Sequence, residues 1–422
     1  MKKRKYFLLI AFLSIVFIAI FNAKQLPVYR MSIMLSPLLL LLDFLIWKII
    51  RRKNIYPVLN YIFIILPASI LVLFILSLSF DIAHVNVQLL NILFALLSVF
   101  YIPKIIFIIL ILSNESIIFL RKKKTSSKRF LLFSFSFSAL LFFFMVYKTI
   151  FPVMDFNITK HEITINKDLH TPLKIVHISD LHLGSWLNIN KINQLTYKIN
   201  ELNPDLIFVS GDLVNFSSAE ISRFDTILRK LKSKHGVYSV LGNHDYGNYI
   251  KWNDFETKET NLNSLVEFKK ETGWHLLMNE SLKIINETDT IFIVGVENWG
   301  NKKRFPQKGD IELALKTVNN SKPVFLLSHD PSHWEYIISK ENPEIDITFS
   351  GHSHAGQIGS DRLNFGIAKL VTEYWGGLYE NGNSQFLSVN KGIGFIGLPF
   401  RIGIRPEITE ITVSSENKIA NN

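Results

Sequence analysis

The oil in this chain is concentrated at one end, and that asymmetry limits its possible folds more than any motif does. Apolar runs occupy residues 6–21, 33–50, 56–80, 87–112 and 130–150, and mixed polar and apolar sequence follows. Each run is near the length of about 20 residues that crosses a hydrocarbon core. Only a helix satisfies its own backbone hydrogen bonds in lipid, so such segments are expected as spanning helices. The 48% hydrophobic content of the 422 residues is thus explained by two parts. These are a transmembrane region of about five helices over 1–152 and a soluble domain over 153–422, long enough to bury its own core.

The basic residues have a rhythm. Lys2, Lys3, Arg4 and Lys5 precede the first run, Arg51, Arg52 and Lys53 follow the second, and Arg121, Lys122, Lys123, Lys124, Lys128 and Arg129 follow the fourth. By the positive-inside rule these clusters are cytoplasmic. The expectation is a multi-pass protein of the cytoplasmic (inner) membrane, with the soluble domain on the outer side. The formal charge of +11 is then topological, and no nucleic-acid partner is expected. Pro103-Lys104 interrupts the fourth run, which reads as one kinked helix or as a helix plus an interfacial piece. The first run has an alternative reading as a signal peptide ending near Ala23, although its length favours an anchor. Asp43 lies alone in the second run, where a carboxylate is a functional candidate. The absence of cysteine excludes disulfides, Cys-based zinc sites and thiol nucleophiles.

The soluble half reads as short β-branched strands separated by helical stretches near 190–202, 219–232 and 263–271. Strands are expected at 173–178, 205–210, 236–241, 290–296, 324–328, 345–350, 385–389 and 407–413. Five of them end in polar turns: Asp180-Leu-His182, Gly211-Asp212, Gly242-Asn-His-Asp245, His329, and Gly351-His-Ser-His354. Loops at the carboxyl ends of strands in α/β folds meet in one crevice, so these residues can converge. Asp180 and His182 stand two residues apart, as do His352 and His354. On an extended backbone each pair aims the same way. The small residues Gly351, Ser353 and Gly356 allow the backbone close to an ion. A mixed nitrogen and oxygen donor set without sulfur suits borderline divalent metals.

In that order, Asp-x-His, Gly-Asp, Gly-Asn-His-Asp, a lone His and Gly-His-x-His resemble the calcineurin-like metallophosphoesterases, over about residues 173–413. Gly295-Val-Glu-Asn298, Ser328-His-Asp-Pro331, Gly392-Ile-Gly394 and Arg405-Pro-Glu-Ile408 are similar to the membrane-attached YkuE/YaeI-like branch. The same stretches are similar to the transmembrane proteins with a C-terminal metallophosphoesterase domain. The resemblance implies an α/β (α+β) domain built as a four-layer α/β/β/α sandwich. It implies two divalent ions, Mn2+ first, with Fe, Zn, Co or Ni as alternatives. Asp180, His182 and His354 would hold one ion, and Asn243, His329 and His352 the other, with Asp212 bridging. His244 would assist the leaving group, and Asp245 would orient it.

The expected function is membrane-tethered hydrolysis of a phosphodiester or phosphomonoester, lipid- or cell-envelope-linked, by metal-activated hydroxide. One alternative is a UDP-2,3-diacylglucosamine-type lipid pyrophosphatase facing the cytoplasm. Another is a non-catalytic membrane sensor or scaffold keeping a structural metal. Arg401 and Arg405 are candidate phosphate holders or structural turns, and Tyr374, Trp375 and Tyr379 a candidate apolar substrate wall. Residues 246–287 are a candidate active-site cap. His177 reads as a packed core histidine.

Overall fold

The computed structural model describes residues 27–52, 64–79, 87–120, 128–150, 155–250, 252–382, 384–398 and 400–416. The apolar run at 6–21 lies outside them. Two compact units form, one of Met1–Pro152 with Tyr249–Lys251 and Gly397–Phe400, the other of Val153–Asn248, Trp252–Ile396 and Arg401–Asn422.

The first unit contains helices α1 (Pro27–Arg52), α2 (Leu66–Ser79), α3 (Val87–Leu120) and α4 (Lys128–Ile150). Among the described residues, α3 and α4 carry the two segments long and apolar enough to cross a membrane. Helix α3 runs through Pro103 as a single element, the first of the two readings of the fourth run, and among the described residues no separate interfacial piece follows. Ile46 of α1 packs on Phe107 and Ile108 of α3, with Leu131 and Phe135 of α4 against them. Asp43 is not alone: it is ion-paired with Lys104 of α3 and accepts a hydrogen bond of 2.8 Å from the Tyr101 hydroxyl.

The second unit is built on two six-stranded sheets. The first runs in the order β1 (Asn157–Ile165), β14 (Glu407–Ser415), β2 (Leu173–Ile178), β3 (Leu206–Val209), β4 (Val237–Ser239), β5 (Trp274–Leu276). The second runs β12 (Gly377–Glu380), β13 (Phe386–Val389), β9 (Ile347–Ser350), β8 (Val324–Leu327), β7 (Asp289–Gly295), β6 (Glu280–Asn286). Strands β2 to β5 are parallel, as are β7, β8, β9 and β13. Strands β3, β8 and β9 are buried at every residue, which is why they read as unbroken apolar runs instead of alternating ones.

Side chains alternate across each strand, and the buried clusters follow that alternation. Ile175, Phe208 and Tyr238 face Ile293, Phe325, Leu327 and Phe349 in a layer between the sheets. Val176, Ile178, Ile207 and Val209 face the other way, onto Ile192, Leu195 and Ile199 of α5 (Ile189–Glu201) and Leu265 and Phe268 of α6 (Phe255–Glu271). On the far side of the second sheet Val294, Val324 and Leu326 meet Ile311, Ala314, Trp334 and Ile338.

Three expectations change. Residues 219–232 form a 3-10 turn, Ser218–Arg223, and one helical turn, Asp225–Leu228, not a full helix. Residues 246–287 are not a separate cap: α6, β5 and all of β6 lie in this stretch and belong to the layers themselves. The substrate wall does not form either. Trp375 is buried with Ala355, Ala368 and Ile404, and Tyr374 and Tyr379 pack on the second sheet's outer cluster.

Candidate metal centre

Strands β2, β3 and β4 of one sheet and β8 and β9 of the other deliver their carboxyl ends to one place. There, donor atoms of Asp180, His182 and His354 lie within 4.8 Å of one another, as do those of His182, Asp212 and His244, and those of Asp212, His329 and His352. Asp212 belongs to two of these sets and joins them. Its Oδ2 is 3.7 Å from His182 Nε2 and 3.1 Å from His329 Nε2. His354 Nε2 is 3.2 Å from Asp180 Oδ1 and 3.1 Å from His182 Nε2. Asn243 is buried in the turn that carries His244.

The backbone achieves this differently from the extended pairs expected from the i, i+2 spacing. Asp180, His182, Asp212, His352 and His354 all have left-handed φ, between 41° and 68°. Such a conformation costs roughly 1–3 kcal/mol per non-glycine residue and persists only where surrounding contacts over-determine it. Those contacts are visible. Asp180 N donates to Gly211 O, His182 N to Asp212 O, and the N–H of Gly394 to Asp180 O. Gly351 and Gly242 are required by close approach: a Cβ on Gly351 would strike Asp180 and Ser179, and one on Gly242 would strike Asp212.

The outer nitrogens of two histidines are fixed by backbone carbonyls. His329 Nδ1 donates to Ser210 O at 2.8 Å, and His244 Nδ1 donates to Asn215 O at 2.7 Å. A carbonyl only accepts, so both histidines present Nε2 to the centre. Asp245 does not play the orienting role expected of it. Its carboxylate accepts from the N–H groups of Leu213, Val214 and Gly242 and so ties the Asp212 turn to the Asn243 turn. The orienting group for His244 is the Asn215 carbonyl.

Arg401 is fully buried and donates to Gly394 O and Lys391 O, with Nη2 3.3 Å from His354 Nδ1. Arg405 pairs with Asp361 and Asn157. Both arginines therefore serve the turns, not an open phosphate pocket. His177 is buried, 2.8 Å from Ser210 Oγ, and takes no part in the donor sets.

Two supporting residues escaped the sequence reading. Asp330 places its carboxylate 3.6 Å from His352 Nε2. Glu220 accepts from the backbone N–H groups of Gly184, Asn215, Phe216 and Ser217, tying the loop after His182 to the loop that holds Asn215. The Ser217-x-x-Glu220 capping box was the available signal for it.

The electrostatics follow from burial among opposed charges. Burial opposes ionisation of Asp180, yet His354, His329 and His182 overcome it and hold the carboxyl well below its usual range. The same contest, won by His329 and His244, holds Asp212 low. Burial opposes protonation of His329, but Asp212 raises it to about 10. His182 goes the other way: burial and the facing His244 and His354 push it well down.

A metal fits this donor set. Two imidazole Nε2 atoms face each other at 3.1 Å beside a carboxylate, an arrangement in which a proton can serve only one of them. His329 Nε2 lies 3.1 Å from Asp212 Oδ2 as an ion pair but outside good hydrogen-bond geometry, although its other nitrogen is satisfied. Nitrogens and carboxylates that converge with poor mutual hydrogen-bond geometry, behind ordered outer contacts, are what a divalent cation requires. The nitrogen and oxygen character suits a borderline metal.

A metallophosphoesterase of Helicobacter pylori (strain J99) is 31% identical over 250 residues, covering 59% of this chain and 62% of that protein. The transmembrane protein with metallophosphoesterase domain of Danio rerio is 30% identical over 246 residues, covering 57% of this chain and 53% of that protein. The chain thus spans less than two thirds of the length of these relatives. Among solved structures, Haemophilus influenzae NAD nucleotidase has a TM-score of 0.37 at 18% identity, covering 53% of this chain and 45% of that one. The calcineurin-like phosphoesterase family matches residues 173–356, a stretch that contains all of Asp180, His182, Asp212, Asn243, His244, His329, His352 and His354. Residues 173–356 of the chain thus form a calcineurin-like metallophosphoesterase domain.

Proposed function

We propose that the chain is a membrane-held phosphoesterase hydrolysing a phosphodiester or phosphomonoester with two divalent ions. Asp180, His182 and His354 would hold one, and Asn243, His329 and His352 the second, with Asp212 shared between the two. The observation that carries this reading is the sharing of Asp212 between overlapping donor sets drawn from both sheets. When bound, the pair of ions supplies Lewis acidity to a phosphoryl oxygen and acidifies a water. Manganese leads among the candidate metals.

The chain's own residues do the rest. Asp180 and Asp212 are held ionised by their histidine neighbours and so are ready to bind cations without first losing protons. His244, its Nδ1–H committed to Asn215 O, presents Nε2 towards the reacting ester and as imidazolium donates a proton to the leaving oxygen. Burial lowers its pKa, an effect partly offset by Asp212. A structural metal in a scaffold would not need a histidine oriented in this way.

The test uses the full chain in detergent with manganese, a soluble bis-phosphodiester and a soluble phosphomonoester. Asp212→Asn is expected to lose both bound metal and turnover. His244→Ala is expected to keep its metal content and lose roughly 10²–10⁴ in rate. A wild-type protein that binds two ions yet hydrolyses neither ester would remove the catalytic reading.

A further inference from the structure

The second unit leaves five large apolar side chains exposed within one short stretch: Leu363 at 77%, Phe365 at 38%, Ile367 at 38%, Leu370 at 76% and Val371 at 79%. The exposed charges between Arg362 and Val371 are Arg362 and Lys369, both positive. The neighbouring Asp361 is committed to Lys391 and Arg405. The stretch is built, not frayed. It consists of the hairpin of β10 (Gly359–Ser360) and β11 (Phe365–Gly366), followed by the 3-10 turn Ile367–Leu370. The cluster of Ala355, Ala368, Trp375 and Ile404 fixes it from beneath, and Ile367 N donates to Ile358 O at 2.9 Å. Ala355 lies in the 3-10 turn His354–Gly356, so this platform and the metal-ligand candidate His354 share one support.

Clustered exposed apolar residues mark an interaction surface. The chemistry and the chain together indicate lipid. Leucine, phenylalanine and valine flanked by cations match an interfacial contact with anionic headgroups. Only six residues, 151–156, separate α4 from β1. Fully extended they span only about 20 Å, so the linker is a short tether.

We propose that residues 359–371 dock on the bilayer and that the phosphoester is carried by a lipid, reaching the metal centre from the membrane surface. This deepens the reading of the chain as a membrane-held phosphoesterase and rests on it. The cysteine-free chain permits a clean test. Leu370→Cys, and Leu313→Cys as a comparison site 45% exposed on another element, each carry a single environment-sensitive fluorophore on the full chain in liposomes containing anionic phospholipid. A quencher attached to the lipid acyl chains is expected to quench the label at 370 at least threefold more than the label at 313. Equal quenching overturns the docking. A shielded label at 370 that lipid quenchers do not reach also overturns it, in favour of a protein partner.

For the substrate, phosphatidic acid and phosphatidylglycerol in the same liposomes are compared with the soluble bis-phosphodiester. Leu363→Ser, Leu370→Ser and Val371→Ser combined are expected to lower the ratio of lipid to soluble turnover about tenfold. An unchanged ratio, or hydrolysis of the soluble ester with neither lipid touched, overturns the lipid substrate. A wild type inactive on every ester refutes the phosphoesterase reading instead, and the quenching result still decides the docking.

Discussion

His177 shows what a single buried group contributes. Burial pushes its pKa down to about 3, against an ordinary value near 6.5. The unfolded chain therefore takes up this proton first as pH falls, and stability is lost from about pH 6.5 downwards. At pH 5 the loss amounts to about 2 kcal/mol relative to pH 7. Denaturant unfolding of the full chain with a chelator should show a smaller change between pH 7 and pH 5 in His177→Gln than in wild type. Identical changes would mean that His177 is not held neutral. At this scale the sequence revealed the donors and hid their supports. Asp180, Asp212 and the Gly-His-x-His pair are recognisable because chemistry-bearing residues crowd five strand ends. Asn215 acts through a carbonyl that every residue has, and Asp330 reaches His352 only after two strands are placed side by side. The left-handed φ of five donors was invisible because spacing alone does not distinguish an extended pair from a coiled one.

Among elements, the pairing of α1 with α3 is the case where a single change has the clearest consequence. Asp43 and Lys104 are both about 5% exposed. Removing one partner leaves an unpaired buried charge, a loss of about 3–5 kcal/mol, whereas replacing both with apolar residues is often neutral. Asp43→Asn should therefore lower the unfolding midpoint in detergent, and Asp43→Leu with Lys104→Met should restore it. An unaltered midpoint in Asp43→Asn would show that the pair does not hold the helices. The hydropathy of α3 was plain in the sequence, but its continuity through Pro103 was not. A proline ring costs one helical hydrogen bond and a clash, and tertiary packing decides whether the helix survives. The missing helix at 219–232 is the converse. Glu220 would serve a helix there, yet it spends its carboxylate on four backbone donors of neighbouring loops. Glu220→Gln replaces one accepting oxygen by a donor facing those N–H groups and should cost about 1–3 kcal/mol. Its slackened loops should also weaken manganese retention, measured as metal per protein after dialysis.

For the whole molecule, the side of the membrane occupied by the catalytic unit is decided by one connection. Arg121, Lys122, Lys123, Lys124, Lys128 and Arg129 lie between the end of α3 and the apolar body of α4. By the positive-inside rule such a cluster beside a spanning helix is expected in the cytoplasm. If α4 crosses once from that side, everything after Ile150 is expected on the opposite face, whatever the number of crossings before α3. The pyrophosphatase alternative needs the reverse, because nucleotide-activated lipids would be met on the cytoplasmic face. The two placements differ in what a membrane-impermeant thiol reagent can reach, and the chain contains no cysteine to confuse the result. Glu380→Cys, at the exposed end of β12, should label in intact spheroplasts. Lys123→Cys should label only after the membrane is broken. The opposite pattern would place the metal centre in the cytoplasm, where the soluble nucleotide and metal pools differ, and would make nucleotide-linked lipids the first substrates to try.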